Sequence, residues 1–274
     1  AQLDRLLDFM ASGKGVVVAF STIASDLQSS PELTLRSTGI VPWLEGLGVK
    51  VAEKVVVDAS CGQVQVVQQR GMFNVQTAVA FPYFPLVTNM SEHPITSGLE
   101  AVVLQFASPV AYVGDSSFTA APLFRTSDRS NSLSLPHLVD LQKQWRDQDL
   151  DLGPQALGLA LEGPFGGGPG ARMVVLGSGS FAVDRQGQGQ PLNPDNVNLL
   201  VNAVDWVTDS TGLIELRSKG ITYRPIDELT DAERTTIKWT QLLLPILLVV
   251  GIGVGRKHYR RRQRKARMRP GHVE

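Results

Sequence analysis

The stretch IKWTQLLLPILLVVGIGVG, residues 237–255, decides the organisation of this chain, and nine Lys or Arg follow it between Arg256 and Arg269. As a helix, these 19 residues would extend about 28 Å at ~1.5 Å per residue, which matches the hydrocarbon thickness of a bilayer. Lys and Arg that flank a span favour the cytoplasmic side. The sequence therefore predicts one C-terminal transmembrane helix, with the preceding residues outside the cytoplasm. A buried helix of a soluble domain is the alternative, but a core helix has no reason to continue into nine positive charges.

Ten residues in and beside this stretch are predicted to anchor the helix in the bilayer. Aromatic side chains belong at the two membrane–water interfaces, and glycines four residues apart let two spans approach closely. A proline removes one backbone donor and can kink the helix. The predicted anchor residues are Trp239, Pro245, Gly251, Gly255, Arg256, Lys257, Tyr259, Arg260, Arg261 and Arg262.

The net charge of zero hides an asymmetry along the chain. Before Lys238 there are 16 Lys and Arg against 25 Asp and Glu, so the large domain has a net charge of about −9. An acidic domain disfavours nucleic acid as a partner, because the phosphate backbone is itself negative. For the basic tail, a position directly after an apolar span favours contact with anionic lipid over RNA or DNA.

Cys61 is the only cysteine, so neither an intrachain disulfide nor a cysteine-based metal site can form. The sequence opens on Ala1, without an initiator Met or a signal peptide. Because the large domain has to cross the membrane, we expect that an upstream anchor or signal precedes Ala1.

The first sixty residues have the pattern of an α/β domain. Residues 2–10 carry apolar side chains at helical spacing, and the apolar run GVVVAF follows them. A second predicted helix, 40–47, is followed by strands at 49–51 and 55–57. Continuous apolar strands after helices are typical of a parallel sheet buried on both faces. We therefore expect a Rossmann-like parallel sheet.

The remainder of the large domain adds further β segments. Strands are predicted at 63–69, 75–81, 101–106, 109–113, 157–161 and 172–176. The Pro-rich FPYFPLV, residues 81–87, is interpreted as a connector, and the polar residues 126–155 as an exposed insertion. The segment GPFGGGPGA predicts a hairpin-like loop, and Asn193–Asp195 the cap of a helix that continues with NVNLLVNAVDWV.

No catalytic, metal-binding or cofactor-binding residue is predicted. The turn GSGSF, residues 177–181, lacks the second Gly of a nucleophile elbow and the Lys of a phosphate-binding loop, so it is interpreted as a tight turn after a parallel strand. Cys61 follows a strand, as a nucleophile can, but neither His93 nor His137 begins the Pro-x-Glu pattern of amidotransferase-like triads. We interpret Cys61 as a small packed side chain.

Several motifs, in order along the chain, resemble the GldG-like auxiliary proteins of gliding-type ABC transporters and the wider family of ABC-type uncharacterized transport system domains. These are WLEGLGVKV with VVVDAS, FPYFPLVTNMSEHPITSGLEAVVLQFASPV, PLFRTSDRSN, GPQALGLALEG, RMVVLGSGSF, NPDNVNLLVNAVDWV and LIELRSKGITYRPIDELTDAERTTIKW. Two positions depart from the family pattern. Ser178 stands where an acidic residue is usual, and Asp184 lies near the place of a usual Asn.

The resemblance implies an amidotransferase-like α/β domain without catalytic residues, acting as an accessory subunit beside a permease and a cytoplasmic ATPase in the bacterial inner membrane. We expect an extracytoplasmic domain at 1–220, a linker at 221–236, the membrane helix at 237–256 and a basic cytoplasmic tail at 257–274. The alternatives are a substrate- or glycan-binding component, a degenerate hydrolase, or a structural subunit of another membrane complex. In a binding component, the loops after Phe20, Asp58 and Gly177 would form a crevice at strand ends.

Overall fold

The computed structural model describes residues 2–27, 29–70, 73–183, 192–209 and 231–267. The chain divides into two units, Ala1–Tyr223 and Arg224–Glu274. The first unit is a mixed α/β domain, and the described part of the second is a single long helix.

The helices are α1 (Gln2–Ala11), α2 (Ile40–Gly46), α3 (Pro194–Thr208) and α4 (Asp231–Arg267), with 3-10 turns at Asp147–Asp149 and Phe165–Gly167. The strands are β1 (Val16–Ala19), β2 (Ile23–Ala24), β3 (Glu32–Leu35), β4 (Val49–Val51), β5 (Lys54–Asp58), β6 (Cys61–Arg70), β7 (Phe73–Val87), β8 (Asn89–Met90), β9 (Val102–Val103), β10 (Val110–Tyr112), β11 (Thr119–Arg125), β12 (Ser130–Ser134), β13 (His137–Leu138), β14 (Ala156–Gly163) and β15 (Ala171–Leu176). The predicted helices at both ends of the domain are confirmed, and so are the apolar strands between them, except that only Val102–Val103 of the predicted strand 101–106 form a strand.

The central sheet has five strands in the order β1-β15-β14-β11-β8. Among the described residues, β1 and β15 are the one parallel pair of this sheet, with Val16 opposite Met173, and the other neighbours run antiparallel. The expectation of a parallel sheet is therefore correct for one pair and wrong for the rest. The reason is the connection: the chain returns from β14 to β15 through the short loop 164–170, whereas a parallel crossover needs a dozen or more residues.

Strand β15 shows how the two faces of this sheet are covered. Val174 and Leu176 pack on one side with Leu199 and Trp206 of α3. On the other side Met173 and Val175 pack with the helix residues Met10 of α1 and Leu44 of α2. Because successive side chains of a strand point to opposite faces of the sheet, the apolar residues of β15 contribute to the hydrophobic cores on both faces. The result is a sheet between two helical layers.

The interpretation of residues 81–87 as a connector is wrong, because they form the second half of β7. Phe81 and Tyr83 are buried in a third core cluster, and this burial outweighs the two prolines. The ladder with β6 is irregular between Cys61 and Gln63, where Pro85 lies opposite Cys61. Such an irregularity is where a strand tolerates a residue that lacks an N–H group.

Residues 126–155 are also not a simple exposed insertion. They supply β12, which pairs with β5, and β13, which pairs with β3. Thr126 and Ser130 are fully buried, with their hydroxyls 2.8 Å apart, and the Ser130 hydroxyl donates to the Gly153 carbonyl at 2.6 Å. Polar residues whose hydroxyls find protein partners can be buried, so polarity alone did not indicate exposure.

Polar side chains at the start of α3 form hydrogen bonds with the segment 100–103, and we call this set of contacts the clamp. The Asn193 side chain accepts the Asp195 N–H group as a helix cap. The Asp195 carboxylate accepts the backbone N–H groups of Glu100, at 2.8 Å, and Ala101, at 3.1 Å. These bonds attach a largely irregular segment to a regular helix.

Asn196 completes this clamp. Its Oδ1 accepts the Val103 N–H group at 2.9 Å, while its Nδ2 donates to the carbonyls of Val103 at 2.8 Å and Phe181 at 2.6 Å. The residue is 3% exposed, so water cannot replace these partners. One amide thereby joins α3, β9 and the end of the turn after β15.

Replacing Asn196 with Ala is expected to lower the free energy of unfolding by about 2–4 kcal/mol, because three buried backbone groups lose their partner. Thermal or urea unfolding of the purified full chain in detergent, followed by near-UV circular dichroism, measures this. Asn198→Ala, on the exposed side of the same helix, is the control and should change stability by less than about 0.5 kcal/mol. Equal effects of the two substitutions would contradict the clamp.

Helix α4 extends over 37 residues and contains Pro245. Within it, Lys238–Arg261 is long and apolar enough to cross a membrane, judged by length and composition. The described side chains of this stretch are exposed within the chain. The predicted span at 237–256 thus falls on a single helix, which begins at Asp231 inside the predicted linker. Residues 221–230 of that linker lie outside the described residues.

Candidate functional site

A cleft of about 1080 Å³ opens at the carboxyl ends of β1 and β15. Because these two strands are parallel, the chain leaves both of them at the same edge of the sheet. Phe20 and Ser21 follow β1 there, and Gly179 and Ser180 follow β15. Ligand sites of α/β sheets lie at such edges, and this volume is slightly above their usual range of about 300–1,000 Å³.

The turn after β15 is built by close packing. A Cβ atom on Gly177 would lie 2.1 Å from the Ser108 carbonyl oxygen, so only glycine fits. The buried Ser178 hydroxyl donates to the Gln105 carbonyl at 2.8 Å, and the Gly179 N–H group donates to Ser21 Oγ at 2.9 Å. The sequence interpretation of a tight turn is confirmed. The Ser178 hydroxyl therefore holds the neighbouring segment, which contains Gln105.

That neighbouring segment contains a strained residue at the cleft. Phe106 has φ +45°, the one non-glycine residue with positive φ in the part of the chain that the structure describes. This conformation is disfavoured for a bulky side chain and persists only where surrounding contacts hold it. Here the Phe106 N–H group donates to the Tyr83 carbonyl at 3.1 Å, and the ring is buried. Gln105 and Phe106 thereby both line the cleft.

The lining of the cleft is both apolar and polar. Apolar walls come from aromatic and aliphatic side chains, and polar groups come from hydroxyls, two amides, one guanidinium and one carboxylate. Chief among these residues are Asp4, Phe20, Arg36, Trp43, Gln105 and Ser180. The buried Nε1 of Trp43 has no hydrogen-bond partner among the described residues, which is uncommon for a buried donor.

Of the three loops that the sequence predicted to form a crevice, two lie at the cleft. The residues after Phe20 and Gly177 line the cleft, whereas those after Asp58 do not. Strand β5 pairs with β12 in a separate two-stranded sheet, so its end does not lie beside β1 and β15. The Asp58 carboxylate instead accepts the N–H groups of Ser60 and Ser127, each at 2.8 Å.

Cys61 and the two histidines of the domain lie in separate environments. The Tyr83 hydroxyl is 2.8 Å from His137 Nε2, and burial raises the pKa of Tyr83 to about 12 while it lowers the pKa of His137. His93 Nδ1 accepts the Ile95 N–H group at 3.2 Å. Within the described ranges, no group of three or more His, Cys, Asp or Glu is placed to hold a metal ion.

Cys61 is half-buried at the start of β6. Burial raises the pKa of its thiol, a hydrogen bond with the Phe81 backbone opposes this shift, and the charge of Asp58 adds to it. The raised pKa leaves less thiolate at any given pH, and the thiolate is the reactive form.

We therefore expect Cys61 to be alkylated by iodoacetamide several-fold more slowly, at about pH 7.5, than an exposed cysteine in the same protein. The comparison protein carries Cys61→Ala with Glu53→Cys, since Glu53 is exposed. The Cys61 rate should keep rising with pH beyond the point at which the exposed cysteine levels off. Faster alkylation of Cys61 would show an activated thiol and contradict this environment.

The ten predicted anchor residues all lie on α4. Trp239 and Tyr259 are exposed near the two ends of the candidate span. A Cβ atom on Gly251 or Gly255 would meet nothing within 4 Å, so larger residues fit there without a clash inside the chain. The basic anchor residues Arg256, Lys257, Arg260, Arg261 and Arg262 continue the same helix.

The residues that line the cleft were not predicted individually. Trp43 and Gln105 fall inside motifs that carry the family resemblance, which was the one available signal for them. Arg36 belongs to no motif. Long-range contacts bring these residues together, and periodicity does not report such contacts.

The structure is that of a mixed α/β protein with one helix long and apolar enough to cross a membrane. The protein family described as ABC-type uncharacterized transport system matches residues 1–207. The chain belongs to this family. Comparison with curated proteins gives no match. Membership indicates an accessory role in a transport system and association with its components.

Proposed function

We propose that this chain is a non-enzymatic accessory subunit of a gliding-type ABC transport system, similar to the GldG-like proteins. It works beside a permease and a cytoplasmic ATPase in the bacterial inner membrane. The observation that carries the proposal is the family match over 1–207, combined with a helix beyond it that is long and apolar enough to span a bilayer.

A non-catalytic role is supported by the surroundings of Ser178 and Cys61, the two residues considered as nucleophiles in the sequence. Ser178 is buried and donates to a backbone carbonyl. Cys61 has a raised pKa, the opposite of an activated nucleophile. The proposed relation to the amidotransferase-like fold is supported by the parallel pair β1–β15 and the glycine-containing turn at its end, whereas the other pairs of this sheet are antiparallel.

In this proposal residues 1–220 lie outside the cytoplasm, residues 237–256 of α4 cross the membrane, and residues 257–274 lie inside. The nine Lys and Arg that follow the span support this orientation, because basic residues next to a span favour the cytoplasmic side. The basic end also contacts the anionic lipid of the inner leaflet.

The orientation predicts which cysteines an impermeant maleimide can reach in intact spheroplasts. In a Cys61→Ala background, Glu53→Cys should react, because that position is exposed on the domain. His272→Cys in the tail should react only after permeabilisation. The reverse pattern would show that the orientation is wrong.

The contact with the permease is proposed to include the glycine face of α4. Gly251 and Gly255 lie one above the other on a helix, and small residues at this spacing let two helices pack closely in lipid. Gly253 lies on nearly the opposite face. All three have open space around them within the chain.

Affinity purification in mild detergent should recover the permease and the ATPase with the wild-type chain. Replacing Gly251 and Gly255 together with Leu should reduce this recovery at least about fivefold, because leucines hold the two helices apart. Gly253→Leu is the matched control and should keep near wild-type recovery. Unchanged recovery of the double variant would exclude this face, and absence of both partners from the wild-type preparation would contradict the proposed function.

A further inference from the structure

Strands β6 and β7 form a long two-stranded ribbon with a free edge. Residues 63–70 of β6 pair with residues 73–80 of β7 in an antiparallel ladder. On its other side, β7 pairs with β9 through Leu86 and Val87. Within the described residues, the outer edge of β7 between 73 and 80 therefore has no neighbouring strand.

The ribbon has one apolar face that the domain covers only in part. Val64 lies opposite Val79, and Val66 follows two residues after Val64, so the three valines share a face. All three are half-buried, whereas the side chains at 76–78 and Ala80 are exposed. An isolated two-stranded ribbon is marginally stable in water, and three or more strands with an apolar face are stable. A further strand beside β7 would therefore stabilise the ribbon.

The free edge of β7 lacks the features that normally prevent a strand edge from pairing. Exposed edges in natural proteins usually carry Lys, proline or a bulge. Residues 73–80, FNVQTAVA, contain no charged residue and no proline, and their ladder with β6 is regular. Pro82 and the irregularity of the ladder lie beyond them, towards the other end of β7. The edge can accept another strand over about 27 Å, which is eight residues at ~3.4 Å each.

The charge pattern of the chain indicates which strand fits this edge. The residues before Lys238 have a net charge of about −9, so two copies repel each other wherever acidic surfaces meet. Residues 59–91, which include the whole ribbon, contain no Asp or Glu and one basic residue, Arg70. They are the longest stretch without an acidic residue before α4. Two ribbons can therefore approach without like-charge repulsion, and an identical neutral edge brings no unpaired charge into the ladder.

We propose that the β7 edges of two copies pair antiparallel about a two-fold axis, so that the two ribbons form one four-stranded sheet. Residues that lie opposite each other in such a pair have their side chains on the same face. The valines of both ribbons therefore line one face of the sheet, and Gln76 and Ala78 line the other. Eight residues from each copy are fewer than the roughly 20–30 of a standard interface, so monomer and dimer exchange in detergent. The inference does not depend on the partners proposed above.

A cysteine scan along β7 tests this geometry with the full chain in native membranes. Cys61 is the only cysteine, so the Cys61→Ala protein can carry one new cysteine at a time, at each position from 73 to 80. In a two-fold antiparallel pair, one residue lies opposite its own copy at a Cα–Cα distance of about 4.5–5.5 Å, which a disulfide can bridge. The residues next to it lie about 8 Å from their copies, beyond that reach.

Mild oxidation should therefore give disulfide-linked dimers with a single maximum along the scan. The yield at that position should exceed the yield two residues away at least about fivefold. Gln65→Cys is the matched control, since Gln65 is exposed and lies directly opposite Ala78 but on β6, away from the proposed seam. It should give little linked dimer.

An added charge on the same edge tests the pairing without a disulfide. Ala78→Lys should raise the dissociation constant of the dimer at least about fivefold, because two like charges come close within the ladder. Gln65→Lys adds the same charge on the same face of the ribbon and should keep near wild-type association. Sedimentation velocity of the full chain in detergent, at a series of protein concentrations, measures the constant. Far-UV circular dichroism of both variants shows that folding is kept.

Four results would overturn the proposal. One is the absence of linked dimers at every position from 73 to 80. Another is a yield that alternates along the strand without a single maximum, which would show that the ribbons pack face to face. The third is linkage of the β7 cysteines to a different protein in place of a second copy, which would assign the edge to that protein. The fourth is an equal effect of Ala78→Lys and Gln65→Lys on association.

Discussion

The side-chain amide of Asn196 is the contact on which the rest of the domain depends. It joins three pieces that have little regular structure to hold them: the two-residue strand β9, the end of the turn after β15, and the beginning of α3. A backbone group buried without a partner costs roughly 1–3 kcal/mol, so these pieces are stable together and not separately. The consequence reaches the cleft, because β9 leads into the segment with Gln105 and Phe106. A structural amide on one face of the sheet thereby determines the shape of a site at its edge.

The two helical layers are coupled through the same sheet. Strand β15 places Val174 against α3 and Val175 against the layer of α1 and α2, so neither layer can shift without disturbing the other. The Arg172 guanidinium adds a polar link, since it donates to the carbonyls of Trp206 and Asp209 at the end of α3, each at 3.0 Å. Orphan carbonyls at a helix end need such partners. Helix α3 is thus fixed to the sheet region at its beginning by Asn196 and at its end by Arg172.

The sequence predicted those features that depend on local chemistry. Helices α1, α2 and α3, the strands β1 and β15, and the cap at Asn193 follow from periodicity, apolar runs and capping residues. What it did not predict depends on contacts between distant residues. The direction of β14, the burial of Pro82 and Pro85 within β7, and the buried hydroxyls of Thr126 and Ser130 all follow from neighbours remote in sequence. The cleft is the extreme case, since Arg36, Gln105 and Ser180 come from three segments and meet only after the sheet has formed.

Helix α4 shows how one charge pattern can serve two purposes. Acidic residues at its beginning, Asp231 and Glu233, and basic residues at its end from Arg256 onward match the dipole of the helix, which is positive at the N-terminus and negative at the C-terminus. The same basic residues favour the cytoplasmic side of a bilayer. The dipole acts only within the first and last turns, whereas the described basic residues extend over about three turns. Most of the positive charge is therefore beyond the reach of the dipole, and in the proposed topology it lies at the anionic lipid surface of the inner leaflet.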